Sequence, residues 1–178
     1  MNGPREYCTH AGQSIRGTTV KSLYRAMALG TLLAISYAVI AANTADPVIG
    51  TWKLNAAKSQ VRAGAALAKS DTRTYTKSDG GVTFTWKRVT AEGRDITVTS
   101  TSAYDGKDFP VKGSPDIDTA NAKRVDANTV ETTLKRDGKV VGHSKRTVSK
   151  DGKTLTVVTK GTNANGDPFE VTLVYDRQ

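Results

Sequence analysis

From Asp46 onward the side chains alternate, residue by residue, between apolar and polar. Val82, Phe84 and Trp86 are interleaved with Thr83, Thr85 and Lys87. Phe169, Val171, Leu173 and Tyr175 are interleaved in the same way with Glu170, Thr172, Val174 and Asp176. A period of two sends successive side chains to opposite faces of an extended strand, so each run has one face for a core and one for water. Thr and Val recur throughout, and branching at Cβ favours the pleated backbone. Asp79-Gly80, Asp105-Gly106, Asp137-Gly138, Asp151-Gly152 and Asn165-Gly166 fall between the runs, and Asx-Gly supplies the positive φ angles of tight hairpins. The pattern predicts strands over 49–55, 72–77, 82–90, 95–104, 109–112, 119–126, 129–136, 139–149, 153–160 and 168–176. That is an all-β, up-and-down antiparallel barrel of about 8–10 strands, because closure removes the exposed edges of a meander. Pro168 suits the first position of a strand, whereas Pro110 predicts an edge, a bulge or a very short strand. Asn55 to Lys69 is Ala-rich and breaks the alternation, which predicts a short helix or an irregular segment after the first strand, with Gly64 weakening the helix.

Residues 1–45 read differently. Lys21 and Arg25 precede AMALGTLLAISYAVIAANTA, an uncharged stretch from Ala26 to Ala45, with Val39 and Ala41 placed as the small residues ahead of a signal-peptidase cut. The expectation is a secretory signal cleaved at about 41–45, an exported protein in the periplasm or medium, and one folded domain over 46–178. An uncleaved anchor is the alternative, since twenty uncharged residues can just span a bilayer. Residues 1–19 are polar and patternless, which fits translation starting at Val20. The one cysteine, Cys8, lies in this region, so the mature part has no thiol for a disulfide, a zinc site or a nucleophile, and no cysteine follows the apolar run to take a lipid.

The formal charge is +9, and +6 remains after residue 45, since four of the 26 basic residues and one of the 17 acidic ones precede Asp46. These charges are interleaved with acids and threonines, and the aromatics are not set among them as a stacking platform for bases. The expectation is a solvated barrel exterior, with no nucleic-acid partner, and a monomer.

Phe84, Trp86, Tyr104, Phe169 and Tyr175 are the large residues in phase with the predicted interior faces, and Arg88 continues the Val82–Phe84–Trp86 face. They are the candidate lining of a ligand cavity, with Arg88 meeting an anionic head group; the alternative is that they simply fill a small barrel. A void below about 300 Å³ would favour the filled barrel. If Trp86 is interior, its truncation to alanine should cost roughly 3–5 kcal/mol. His143 is the one histidine of the mature part, too few for an ordinary metal site. A two-residue Asp137-Gly138 turn points it inward, and a three-residue loop with a bulge points it out. Asp116 and Asp118 can lie on one side of a strand, but loop placement is the commoner use of such residues. No nucleophile-elbow, metalloprotease, phosphate-loop or dinucleotide motif is present. No catalytic residue, metal or cofactor is assigned.

Two terminal motifs carry a resemblance. Gly50-Thr51-Trp52-Lys53-Leu54 resembles the first-strand G-x-W motif of the lipocalins and fatty-acid-binding proteins, the calycin barrels. Leu173-Val174-Tyr175-Asp176-Arg177-Gln178 looks like the last strand of the fatty-acid-binding branch. Tyr104 to Val111 and Ser149 to Thr156 are similar to segments of small exported bacterial proteins of lipocalin-like kind. The resemblance implies a barrel binding a small hydrophobic or amphiphilic ligand; the competing reading is a filled barrel that serves as a structural or interaction module of the cell envelope. In that branch an arginine two residues before the terminal tyrosine helps hold the ligand carboxylate, and Leu173 stands there instead. Gly50, Trp52 and Arg177 are the candidate barrel plug: the indole closes one end and the guanidinium lies across its face.

Overall fold

The protein is described here by a computed structural model, over residues 46–62, 66–162 and 166–178. The signal segment, Gly64 and Asn165 lie outside the described residues. Eleven strands follow one another: β1 Gly50–Leu54, β2 Gln60–Arg62, β3 Ser70–Ser78, β4 Gly81–Val89, β5 Asp95–Ser102, β6 Asp105–Lys112, β7 Thr119–Arg124, β8 Thr129–Arg136, β9 Lys139–Val148, β10 Thr154–Thr162 and β11 Pro168–Arg177. From β3 to β11 each strand pairs antiparallel with the next, β1 pairs with β3, and β1 pairs with β11, so the sheet closes on itself. The architecture is an all-β, up-and-down antiparallel barrel of the calycin type.

The strand missing from the sequence reading is β2. Leu54 pairs with Tyr175 and Gln60 with Thr172, so six positions on one side span three on the other. A 3-10 turn, Ala56–Lys58, absorbs the surplus, and β1 and β2 become two lengths of one stave along β11. Asn55 builds the break. Its side chain accepts from the Lys58 backbone N–H at 3.1 Å and donates to the Asp176 carboxylate at 2.6 Å, which ties the turn to the barrel wall. The expected short helix is therefore a single 3-10 turn followed by a strand.

Two corners depart from simple Asx-Gly punctuation. Asp105-Gly106 opens β6 and sits in a register shift against β7; the turn from β5 to β6 is made by Ala103 and Tyr104, the latter with φ +58°. Pro110 lies inside an eight-residue strand. Val111 N–H donates to the carbonyl of Asp118, the residue before β7, so the missing N–H of Pro110 faces β5, and β5–β6 pairing is confined to Thr99 with Lys112 and Ser100 with Val111.

The β8–β9 hairpin settles His143. Asp137 and Gly138 have φ +51° and +73°, a two-residue type I′ turn. Beyond it Lys135 pairs with Val140 and Leu134 with Gly142, leaving Val141 as a bulged residue. The extra residue inverts the facing, so His143 is exposed opposite Thr133 while Ser144 and Arg146 point inward.

The core sits at one end, where Val48, Trp52, Tyr75, Val82, Val148, Leu155, Val157 and Tyr175 pack together. Several surface carboxylates fasten the corners. The Asp137 backbone N–H holds Asp118 below the usual carboxylate range, the Asn128 backbone N–H does so for Asp126, and Ser149 for Asp151. Asn55 does the same for Asp176 and Lys135 for Asp108. A depressed folded pKa means that each contribution is complete above the unfolded value and is lost as pH falls through the folded one. Urea midpoints should therefore stay level as pH falls to about 5 and drop below about 4. A flat profile down to pH 3 would show that these contacts contribute nothing.

Candidate functional site

Above the core the barrel encloses a cavity of about 930 Å³. Its wall is largely apolar, with Leu54, Val98, Phe109, Leu134, Val157, Phe169, Val171 and Leu173 contributed by strands all round the sheet. The mouth is formed by Val61 of β2, by Ala66 and Leu67 ahead of β3, and by Ser114, Asp116 and Ile117 between β6 and β7. The β8–β9 and β10–β11 hairpins add Arg136, Thr162 and Pro168.

The polar part of the interior is concentrated on β3, β4 and β9. Asp71, Arg73 and Tyr75 alternate inward on β3, cross-strand from Arg88, Trp86 and Phe84 of β4. The Arg73 guanidinium lies 4.8 Å from the Tyr175 ring, 5.0 Å from Trp86 and 5.7 Å from Phe84. The Arg88 guanidinium lies 5.5 Å from the Trp86 ring, a second cation on that indole. Tyr75 stacks on Phe84 at 5.0 Å and receives Arg146 at 4.7 Å. Arg146 also lies 5.1 Å from the Tyr104 ring and donates to its hydroxyl at 2.8 Å. The result is a continuous ladder of guanidinium and aromatic groups on the cavity wall and floor, each cation held by ring faces that cost little to desolvate.

One carboxylate belongs to this ladder. Asp71 is 2% exposed, and its Oδ1 is 3.9 Å from Arg73 Nε, too long for a hydrogen bond. Burial pushes the Asp71 carboxyl up, against the pull of Arg73. Burial also works against the charge of Arg73, but Tyr175, Tyr75 and Asp71 outweigh it and hold the guanidinium protonated. Burial raises Tyr175 and Tyr104, which keeps both phenols neutral. Asp71 Oδ1, Arg73 Nε, Trp86 Nε1, Arg88 Nε and the Tyr175 hydroxyl are all buried without a hydrogen-bond partner. Trp86 and Tyr175 nevertheless lie close enough to Asp71 to pull its carboxyl down against burial, so these atoms form a sealed polar cluster around the carboxylate behind the cavity wall.

Phe84, Trp86, Arg88, Tyr104 and Phe169 therefore line the cavity, whereas Tyr175 is fully buried among the core residues and supports Arg73. Trp86 is only partly buried and lines the cavity. Its truncation widens an existing cavity instead of opening a new one. The expected cost of Trp86→Ala drops to about 1–2 kcal/mol, from the two lost cation–π contacts and partial area, read from thermal unfolding. A cost above that of an enclosed core tryptophan would place Trp86 in a closed environment.

Sequence reasoning does not single out Arg73, Asp71 or Arg146. The available signal is the outward threonine series Thr72, Thr74 and Thr76, which pairs in register with Lys87, Thr85 and Thr83 and so forces the residues between them inward. Asp116 is exposed at the mouth, and Asp118 accepts the Asp137 backbone N–H at 2.7 Å, so the two do separate things.

The opposite end is shut by the plug. Trp52 is 0% exposed and donates from Nε1 to the Val48 carbonyl at 2.8 Å. The Arg177 guanidinium covers the indole at 4.1 Å and donates to the carbonyls of Ile49 at 2.7 Å and Gly152 at 2.5 Å, and also to that of Pro47. Gly50 makes room for it. Its φ is +135°, and a Cβ there would stand 2.7 Å from Arg177 Nη1. The strap Asp46–Ile49 is held from the other side by an ion pair between Asp46 and Arg124, whose guanidinium stacks on Tyr104 at 4.8 Å.

A closed antiparallel barrel with a plugged end, a mouth and an apolar chamber is a calycin-type fold. Among solved structures the chain is similar to zebrafish ileal bile acid-binding protein complexed with cholic acid. The TM-score is 0.46 at 10% identity, over 74% of this chain and 99% of that one. It is also similar to Rv2717c from M. tuberculosis, with a TM-score of 0.46 at 14% identity, over 74% of this chain and 93% of that one. No family model matches the chain, and no curated protein does.

Proposed function

We propose that this chain is an exported, non-enzymatic carrier that holds a small amphiphile inside its barrel, anionic head against the arginine ladder and apolar tail toward the mouth. The observation that carries this is the cavity of about 930 Å³. It is near the upper end of ordinary ligand sites and about three times the volume below which a filled barrel would be favoured. An apolar wall that narrows to Arg73, Arg88 and Arg146 supports an amphiphile over a uniformly apolar ligand. Export rests on Lys21 and Arg25 ahead of the uncharged run to Ala45.

Native mass spectrometry of the protein isolated from its own host tests both parts. The expected spectrum shows a chain beginning within a few residues of Asp46, recovered from periplasm or medium, with a bound mass of lipid size that is lost on denaturation. A chain without bound mass that also fails to take up decanoate or an environment-sensitive dye would replace the carrier with a structural module of the envelope. Full-length protein in the membrane pellet would replace the cleaved signal with the uncleaved anchor, and full-length protein in the cytosol would remove export.

A further inference from the structure

Resting on that amphiphile reading, we propose that the head group is a dianion of the phosphate monoester class and not a singly charged acid. Among the described residues, three guanidiniums, Arg73, Arg88 and Arg146, share the chamber with one carboxylate, Asp71. The other charged groups on the cavity lining, Arg136, Asp116 and Asp167, are exposed at the mouth, where water screens them.

Asp71 is nearest to Arg73, which is also caged by three rings. Asp71 also stands cross-strand from Arg88, so one carboxylate serves two guanidiniums. Arg146, stacked on aromatic faces, has no ion pair among the described residues, and three cations to one anion leave an excess of two. Ring faces soften a buried cation without neutralising it, so two positive charges stand uncompensated beside apolar walls. A singly charged head cancels one and leaves the other. A phosphate monoester cancels both, and its three acceptor oxygens suit the forked N–H donors of guanidiniums.

Calorimetric titration of the full 178-residue chain with decyl phosphate and decyl sulfate at pH 8, below their micellar thresholds, separates the cases. Tail and tetrahedral head are shared, and one charge differs. The phosphate should bind about tenfold or more tightly, with one ligand per chain. Its advantage should shrink as pH falls through about 6, where the phosphate monoester takes up its second proton. Asp71, Tyr75 and Tyr104 are the other titratable groups facing the chamber; protonation of Asp71 removes a negative charge and favours the dianion, so it opposes the expected loss and cannot produce it. Arg88→Gln and Arg146→Gln should each reduce the ratio. Equal affinities, a preference for the sulfate, or two equivalent sites per chain would overturn the dianion. Decanol binding as tightly as both would overturn any reading of the head group. Binding of none of the three would instead remove the carrier function itself. The wild-type ratio decides the matter even if a variant fails to fold.

Discussion

Trp52→Ala is expected to destabilise the barrel by about 3–5 kcal/mol, the largest effect of any single truncation we foresee. The indole is 0% exposed and packs with Val48, Leu155 and Tyr175 at the closed end, so nothing open borders the space it would vacate. Its loss removes the whole transfer free energy, leaves a cavity, strips the Val48 carbonyl of its donor and bares one face of Arg177. Trp86 supplies the internal control, being the same residue type on the wall of a space that already exists. The expected order of denaturant midpoints is wild type, then Trp86→Ala, then Trp52→Ala. Equal losses at the two sites would mean that the closed end is not closed.

Arg177→Ala should cost on the order of 3 kcal/mol, although the side chain is only partly buried. One guanidinium serves three carbonyls, Pro47, Ile49 and Gly152, and covers Trp52 at 4.1 Å. It joins the strap before β1, the loop between β9 and β10, and the last strand, three segments far apart in sequence. Truncation orphans those carbonyls and frees the strap. Arg177→Lys should recover little, because an ammonium cannot present donors in three directions while lying flat on an indole. In hydrogen exchange the amides of Val48 and Ile49 should lose protection in Arg177→Ala, ahead of the β3–β4 hairpin. Full recovery by lysine would reduce the role of Arg177 to charge alone.

Both predictions concern the part of the molecule that is most legible in its sequence. G-x-W at one terminus and Tyr-Asp-Arg at the other are local motifs with a narrow steric meaning, and Trp52 and Arg177 lie opposite each other in the closed sheet. Strand positions are legible for a similar reason. The period-two pattern registers which way a side chain points and needs no knowledge of the neighbour, so ten of the eleven strands lie within a few residues of their expected ranges. The exception, β2, is three residues long and owes its conformation to β11, not to its own composition.

The interior site is only half legible. Phe84, Trp86 and Arg88 follow from the alternation of an apolar run, but Arg73 and Asp71 lie on a strand whose two faces are both polar by composition. Nothing in Thr-Arg-Thr-Tyr-Thr states that the arginine goes in and the threonines out; pairing with β4 states it. His143 makes the same point from the other direction. Its facing depends on one bulged residue, Val141, three positions beyond the turn that was expected to decide it.

The amino-acid order alone determined the all-β class and the closed sheet, because alternation and Asx-Gly corners act within a few residues of chain. Tertiary structure alone decided that the barrel is hollow and that its charged residues gather into one ladder. Both depend on how much side-chain volume ten staves place inside a circle, and on which distant strands face each other across it, quantities that no local pattern contains.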